Sequence, residues 1–263
     1  MQSFEVYIIN LDKSQDRMNF MKQQMEKLDI KYTKMPAIYG KEYNFSIDEY
    51  DRGLARKTNG QELTEGEKGC ALSHRLCYNG ALEHEYTLIM EDDVLLPDNF
   101  KEIIEKEISK NKNQKWEYLT FDYIEPGFFF VKHYIDSLFL VYKNLCTRED
   151  KLKFTIKTII KLAYLIPISI FEWIRNYIYK LFGGGAVKFY RPLYLAGCYL
   201  VTRSAADKLT QLSSPIRYPA DRLPDEAKKQ LKMKFYAYAP LSVFQQREQF
   251  SSNIVQSENA NTK

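Results

Sequence analysis

Three acidic residues in a row, Glu91, Asp92 and Asp93, follow directly after the short apolar run Tyr86–Met90. Adjacent negative charges repel one another unless water or a cation screens them. If strand geometry continues, Glu91 and Asp93 project to the same side beyond the carboxyl end of the strand, where open α/β sheets bind ligands. Carboxylates of this kind suit Mg²⁺ or Mn²⁺ shared with substrate phosphates. Taken alone, the triplet is equally compatible with a solvated acidic turn.

A helix rich in small residues is predicted upstream of this triplet. Thr64 and Glu67 form a capping-box pattern at the start of the segment Leu63–His74, LTEGEKGCALSH. Glycines such as Gly69 cost stability inside a helix, so we expect close approach to a backbone or a ligand there. A single histidine such as His74 is more often a structural group than a ligand.

Polar residues also lie near the end of the first predicted strand, Phe4–Leu11. Asn10 could read the edge of a uracil base, and Arg17 in the following helix could pair with a phosphate. From the spacing alone, an ion pair between Arg17 and an acid such as Asp16 is the simpler interpretation. The helix itself is predicted from an apolar face at helical spacing, formed by Met18, Met21, Met25 and Leu28.

The alternation of strands and helices from the N-terminus predicts an α/β fold with a parallel sheet. Further strands are predicted at 31–38, 118–123, 194–202 and 234–239, and Ser204 with Asp207 is expected to cap a helix. Two carboxylates from the second half are candidates for a general base. Asp122 lies at the end of its strand, and Asp221 lies in the loop Tyr218–Leu223.

The segment 125–190 differs from the rest of the chain in charge. It contains ten Lys and Arg against five Asp and Glu, whereas the remainder contains 28 against 29. Its uninterrupted apolar run, Leu162–Phe171, contains Pro167 and is much shorter than the roughly 20 residues of a spanning helix. We therefore predict a basic amphipathic helical insertion rather than a transmembrane helix. It could contact anionic lipid through residues 145–182, form a lid or acceptor-binding subdomain, or be an ordinary insertion with a solvated basic side.

Length and composition fit one domain with an insertion. The 263 residues are 45% hydrophobic and 27% charged, which argues against wholesale disorder. We predict that residues 1–124 and 191–250 form the catalytic domain and that 251–263 form a tail. The four cysteines show no zinc-binding spacing and are expected to be reduced. The N-terminus lacks the pattern of a secretory signal, so a cytoplasmic protein is expected.

Three ordered motifs give this chain a family resemblance. The start, Ile9–Asp12 through Asp16 and Arg17, is similar to that of glycosyltransferase family 25, the lipooligosaccharide glycosyltransferases. The segment Leu63–His74 resembles the most distinctive stretch of that family, and Glu91–Val94 follows it at the expected distance. Weaker similarity covers Tyr199–Thr202, Pro219 with Asp221, 240–246 and 251–254, whereas segment 125–190 aligns to nothing.

The resemblance implies a GT-A-like, Rossmann-type nucleotide-sugar fold and a UDP-sugar donor, often UDP-galactose. It also implies Mn²⁺ or Mg²⁺ as a cofactor and inverting transfer to a lipooligosaccharide or another glycan. By this analogy Asp93 is the first-choice metal ligand, and Glu91 contacts the metal or the ribose. The other donor-binding candidates are Asn10, Arg17, His74, Asp92 and Gln246.

The resemblance also ranks the candidates for the base that deprotonates the acceptor hydroxyl. Asp221 comes first because it matches the acid of the family's Pro-x-Asp pattern, and Asp122 comes second. Arg222 or Arg217 could equally be an ion-pair partner of Asp221. No histidine follows His133, so Gln246, Asn253 or water would have to complete the metal shell.

Two rival functions remain open at this point. A metal-dependent phosphotransferase or nuclease would use the same acids, but the chain has no GxxxxGK[ST] loop. Its basic segment is too apolar for a duplex-binding face, so no nucleic-acid partner is expected. A non-catalytic sugar- or nucleotide-binding protein of the same fold is the second rival. For the enzyme we expect a peripheral position on the cytoplasmic face of a bacterial inner membrane.

Overall fold

The computed structural model describes residues 3–123, 132, 135, 142, 148–190, 193, 195–246 and 250. Most of the predicted insertion before residue 148, including His133 and Cys146, lies outside these residues. The predicted tail 251–263, with Asn253, also lies outside them. Among the described residues, Cys70, Cys77 and Cys198 are free thiols, as expected.

Within the described part of the chain, seven strands form one mixed sheet. They are β1 (Glu5–Asn10), β2 (Thr33–Pro36), β3 (Tyr86–Glu91), β5 (Tyr118–Thr120), β6 (Gly185–Val187), β7 (Cys198–Thr202) and β8 (Phe235–Ala239). Their order in the sheet is β2-β1-β3-β7-β5-β8-β6. β2, β1, β3, β5 and β8 run in one direction, and β7 and β6 run against them. The predicted α/β class with a mainly parallel sheet is therefore confirmed.

A two-stranded ribbon of β4 (Val94–Leu95) and β9 (Phe244–Gln245) accompanies the sheet. β6 lies inside the range predicted as the insertion, yet it pairs with β8 at the edge of the main sheet. The helices are α1 (Gln15–Leu28), α2 (Arg52–Asn59), α3 (Glu65–Ala81), α4 (Phe100–Lys110), α5 (Arg148–Leu181), α6 (Arg203–Leu212) and α7 (Leu223–Gln230).

Helices cover both faces of the sheet because its central strands are apolar on both sides. In β1, Val6 and Ile8 belong to one buried cluster, and Tyr7 and Ile9 belong to the other. The Val6 side packs against α1 and α4, through Met21, Met25, Phe100, Ile103 and Ile104. The Tyr7 side packs against α3 and α6, through Cys77, Tyr78, Ala81, Ala205 and Leu209. This burial on two faces is typical of parallel strands.

The predicted start of α3 is confirmed in detail. The Oγ1 atom of Thr64 accepts a hydrogen bond from the backbone N–H of Glu67, and the Glu67 carboxylate accepts one from the N–H of Thr64. The predicted cap of α6 is wrong. That helix begins at Arg203, and Thr202 caps it by accepting a hydrogen bond from the N–H of Ala205. The cap lies two residues earlier than predicted because β7 runs directly into the helix.

The prediction that the apolar run Leu162–Phe171 is too short for a membrane-crossing helix is wrong in its premise. α5 continues through Pro167 and is 34 residues long. Among the described residues, its part Lys151–Leu181 is long and apolar enough to cross a membrane by length and composition. Because the helix does not end at the proline, its length is set by more than this ten-residue run.

A buried carboxylate joins three elements on the side of the sheet where β5 begins. Glu117 accepts hydrogen bonds from Ser204 and Lys208 of α6 and from the backbone N–H of Lys234, which precedes β8. Burial acts against the ionised form, but these donors outweigh it and lower the pKa of Glu117.

We predict that Glu117→Gln lowers the free energy of unfolding at neutral pH by about 1–3 kcal/mol, because the replacement loses charge-assisted hydrogen bonds. The folded-state pKa of Glu117 lies below the unfolded value. Its contribution is thus present above the ordinary glutamate pKa of about 4.3 and is lost as the pH falls through the folded value. Urea unfolding of wild type and variant at neutral and acidic pH tests this. The exposed Glu105→Gln is the control, and a difference that persists undiminished at low pH contradicts the prediction.

Candidate active site

The carboxyl ends of β1, β2 and β3 lie side by side at one edge of the sheet. Ile9 of β1 is level with Glu91 of β3, and Asn10 is level with Pro36 of β2. Asn10 and Glu91, which are 81 positions apart in the sequence, therefore meet at the edge where open α/β sheets bind ligands.

α3 lies against this edge because glycine backbones touch there. A Cβ atom on Gly69 would lie 2.5 Å from the carbonyl oxygen of Ile38 and 2.7 Å from the backbone nitrogen of Gly40. A Cβ atom on Gly40 would lie 1.7 Å from the carbonyl oxygen of Glu65. The expectation that glycines in this helix allow close backbone approach is confirmed, and this approach brings α3 next to the acidic triplet.

His74 of α3 is buried between a tyrosine and the first acid of the triplet. Its Nδ1 atom lies 2.6 Å from the hydroxyl of Tyr199, and its Nε2 atom lies 3.3 Å from a carboxylate oxygen of Glu91. A hydrogen bond at one ring nitrogen fixes the orientation that the other nitrogen presents. Tyr199 thus orients His74 and His74 orients Glu91, a chain that the sequence did not reveal.

Arg17 binds the other two acids of the triplet. Its Nε atom lies 2.9 Å from Asp92, and its guanidinium also donates a short hydrogen bond to Asp93. The amide of Asn10 donates to Asp92 at 2.7 Å. The simpler sequence-based interpretation, a surface ion pair with Asp16 or another acid, is right that Arg17 pairs with an acid but wrong about the surface, because Arg17 is buried.

The acidic corner holds the three carboxylates of Glu91, Asp92 and Asp93, and Arg17 contacts two of them, Asp92 and Asp93. Burial raises the pKa of Asp92 to about 6, although Arg17 and Asn10 act in the opposite direction. The ionised form of Asp92 adds a negative charge to this corner, which favours the binding of a cation.

A cleft of about 130 Å³ opens directly onto this corner. The predicted site residues that line it are Arg17, His74, Glu91, Asp92 and Asp93. Further lining comes from the loop after β2 and from α3, through Ala37, Ile38, Tyr39, Gly40, Lys41, Cys70 and Ser73. Asn10, Asp122, Asp221 and Gln246 are not among the described residues that line the cleft.

Asp122, the second candidate for a base, is hydrogen-bonded to backbone N–H groups. Its carboxylate accepts hydrogen bonds from the N–H groups of Gly197 and Cys198 and from the hydroxyl of Thr120. Burial raises its pKa to about 6, and these donors act against that rise. Since Gly197 in turn accepts from the N–H of Glu91, this geometry favours Asp122 as a positioning residue for Glu91.

Asp221, the first candidate for a base, lies in the loop before α7. The residue is exposed, yet protein atoms crowd its carboxyl group and raise its pKa, and the negative charges of Glu67 and Glu91 add to this rise. A solvent-accessible carboxylate with a raised pKa, close enough to Glu91 for their charges to interact, has the properties of a general base.

The C-terminal contribution to the site comes from two adjacent glutamines. The side chain of Gln245 donates to Glu91 at 3.4 Å, and the backbone N–H of Gln246 donates to the carbonyl of Asp93 at 2.7 Å. Of these two glutamines, only Gln246 is predicted from the sequence. The alternation of side chains along β9 is the signal that could have pointed to Gln245.

Three side chains at the cleft could hold a metal ion together. Ligand atoms of Cys70, His74 and Glu91 all lie within 4.8 Å of one another. Burial, followed by the charge of Glu91, raises the pKa of the Cys70 thiol well above its usual range. A metal would have to displace that proton, whereas the carboxylates of Glu91 and Asp93 can bind a cation without deprotonation.

Comparisons with known proteins identify the family to which this chain is similar. The sequence model of glycosyltransferase family 25 (LPS biosynthesis protein) matches residues 3–224. Procollagen galactosyltransferase 1-B of Xenopus laevis is 36% identical over 104 residues, which are 37% of this chain and 17% of that protein. A Haemophilus influenzae protein named only as a glycosyltransferase is 32% identical over 108 residues, which are 38% of this chain and 36% of that protein.

Two further similarities are to more distant proteins. Glycosyltransferase 25 family member 3 of Rattus norvegicus, named as a probable inactive enzyme, is 28% identical over 130 residues, which are 47% of this chain and 22% of that protein. A solved glycosyltransferase that acts in glycosylation of the major capsid of PBCV-1 covers 99% of both chains. With 6% identity and a TM-score of 0.42, that likeness is too distant to carry an argument.

An α/β sheet with a charged cleft at its carboxyl edge and a family match over most of the chain defines the protein as one of the glycosyltransferases. The chain belongs to glycosyltransferase family 25, the LPS biosynthesis family, which confirms the resemblance inferred from its motifs. It spans at most 36% of the length of the three curated relatives described above.

The contact between Gly69 and the loop after β2 predicts that Gly69→Ala destabilises the protein by at least about 1–3 kcal/mol, because the added methyl group overlaps backbone atoms. Gly53→Ala in α2 is the matched control, since its Cβ would meet only Asp51 at an ordinary 3.4 Å. That variant should be neutral or more stable by up to about 1 kcal/mol. Thermal unfolding of both variants tests the prediction, and equal melting temperatures would contradict it.

Proposed function

We propose that this protein transfers a hexose, with galactose as the first candidate, from a UDP-sugar to a hydroxyl group of a lipooligosaccharide or another glycan, with inversion. The observation that carries the proposal is a single cleft that is lined by Arg17, His74 and the three acids Glu91–Asp93. Galactose is the first candidate because the procollagen relatives are named as galactosyltransferases.

The donor set fits a divalent ion. Three carboxylates, those of Glu91, Asp92 and Asp93, lie together at the edge of the cleft. Glu91 and Asp93 would hold Mn²⁺ or Mg²⁺ through oxygen atoms, which both ions prefer. When bound, such an ion neutralises the charge that develops on the departing diphosphate.

The protein's own residues divide the remaining work. Tyr39 and Lys41, from the loop after β2, line the cleft and offer a ring and a cation to the nucleotide. The chain from Tyr199 through His74 fixes the carboxylate of Glu91. Asp221 accepts the proton of the acceptor hydroxyl as that oxygen attacks the anomeric carbon, and UDP leaves.

The acidic corner is tested by the release of UDP from several nucleotide sugars in the presence of Mn²⁺ or a chelator. We expect Asp93→Asn to lower kcat/KM by about 100-fold or more, since one charged group at a phosphoryl or metal site contributes at this scale. Asp98→Asn is the matched control, because Asp98 is exposed and pairs with Lys27 on the surface. Release that is unchanged by chelator, or an equal effect of both variants, contradicts the role of the ion.

Asp221 is tested by the transfer rate and its pH dependence. Asp221→Asn should lower kcat by about 10²–10⁴-fold with little change in the KM for the donor, because the base acts on the acceptor. In the wild type, the rate should fall as the pH drops through the raised pKa of Asp221, since only the ionised form accepts a proton. Asp207→Asn in α6 serves as the control, and retention of full activity by Asp221→Asn would exclude this base.

The inactive relative favours one alternative, a protein that binds the donor without transfer. Measurement of donor binding together with UDP release distinguishes the transferase from the non-catalytic binding protein. Saturable donor binding without UDP release, for every acceptor and donor tried, would support the non-catalytic protein.

A further inference from the structure

The distribution of polar and apolar residues around α5 is the reverse of that in a helix of a water-soluble protein, because most of its buried residues are polar. Its buried residues Ser169, Glu172 and Asn176 lie on one side together with Leu165. Glu172 accepts a hydrogen bond from the backbone N–H of Tyr190, and the amide of Asn176 donates to the hydroxyl of Tyr123 at 3.2 Å. The buried side chains of Glu172 and Asn176 therefore have hydrogen-bond partners inside the fold.

The opposite side of α5 is apolar and exposed along the whole helix. Exposed residues recur at spacings of three and four, as Leu152, Ile156, Ile159, Ala163, Pro167, Ile170, Ile174, Tyr177 and Leu181. Tyr164, Phe171, Trp173 and Ile178 widen this surface and are also exposed. We call these thirteen residues the outer face. Burial of such a face is what normally stabilises an amphipathic helix, so an outer face left in water would be unfavourable.

We propose that the outer face of α5 lies in the interface of a lipid bilayer, with the helix parallel to the membrane and the catalytic fold on its aqueous side. Apolar residues on one side and basic residues at the borders are the features of an interfacial helix. Trp173 and Tyr177 add side chains that prefer the headgroup level.

The charges of the helix identify the lipid. Between Lys151 and Leu181 the sequence has six basic residues and one acidic residue. That acid is Glu172, which is fully buried against the fold. The charge presented outward is therefore positive, which attracts the headgroups of anionic lipids.

The packing of α5 excludes a spanning orientation, although its length would allow one. The residues that contact the fold, from Leu165 to Tyr179, belong to the same stretch as the most apolar part of the outer face. A spanning helix would carry Glu172 and the fold residues around Asn176 into hydrocarbon. In the part 151–164, none of the described side chains is buried; this part has 14 residues and four lysines, fewer residues than the roughly 20 needed to cross.

The pattern also disfavours pairing with a second copy of the chain. The recurrence from Leu152 to Leu181 averages about 3.6 residues, the period of a straight helix, whereas a coiled coil requires 3.5. Trp173 and Phe171 extend the outer face well beyond the narrow seam that two paired helices bury.

Vesicle flotation with the full chain tests the proposal independently of the glycosyl transfer. Wild-type protein should float with vesicles that contain phosphatidylglycerol, and less with pure phosphatidylcholine vesicles. Ile174→Glu should lower the ratio of bound to free protein at least about tenfold, because a charge replaces an apolar group at the centre of the outer face. Ile47→Glu is the matched control, since Ile47 is a more exposed isoleucine (74%, against 47% for Ile174) outside the helix.

A spectroscopic readout and the oligomeric state complete the experiment. Trp173 is 52% exposed and Trp116 is 1% exposed, so a blue shift of tryptophan emission on addition of vesicles would report on α5. Ile174→Glu should abolish the shift while UDP release from a soluble donor stays unchanged. Absence of flotation and of the shift, or a dimer by light scattering that Ile174→Glu dissociates, would overturn the proposal. If the wild-type protein floats with vesicles but releases no UDP from any donor, the membrane proposal stands and the proposed function fails.

Discussion

The contact of Arg17 with Asp92 and Asp93 determines the geometry of the site. Arg17 comes from α1, the two acids follow β3, and Asn10 at the end of β1 completes the group through Asp92. A buried carboxylate without a partner would be strongly destabilising, so the guanidinium allows an acidic triplet to exist at the sheet edge. It also ties α1 to the strand end and leaves Glu91 on the side of α3, where His74 meets it.

Glu91 is in turn held from several directions. Its backbone N–H donates to Gly197, while its carboxylate contacts His74 and Gln245. A Cβ atom on Gly197 would lie 2.7 Å from side-chain atoms of both Asp122 and Gln245, so a larger residue there would have to displace them. The three carboxylates thus differ in environment although they are consecutive in sequence. Asp92 is buried and paired with Arg17, and Asp93 is paired with the same guanidinium. Glu91 faces the cleft and lies close to Cys70 and His74 of α3.

Local signals made much of this arrangement predictable from the sequence. The capping box at Thr64, the glycine at position 69 and the acids after β3 act over a few residues, and all three appear where expected. Long-range pairings were not predictable. The partners of Asp122, the contact of Tyr199 with His74 and the role of Gln245 depend on which strands are neighbours. The reversed burial of α5 was missed for the same reason, because periodicity shows that a face is apolar but not which way it points.

The central claim is that the acidic corner holds a divalent ion together with the diphosphate of the donor. Anomalous diffraction at the manganese edge, from crystals grown with MnCl₂ and UDP, tests it most directly. We expect one anomalous peak within bonding distance of Glu91 and Asp93, with phosphate oxygens of UDP completing its shell. An acidic corner without a peak, or UDP bound away from this cleft, would contradict the account.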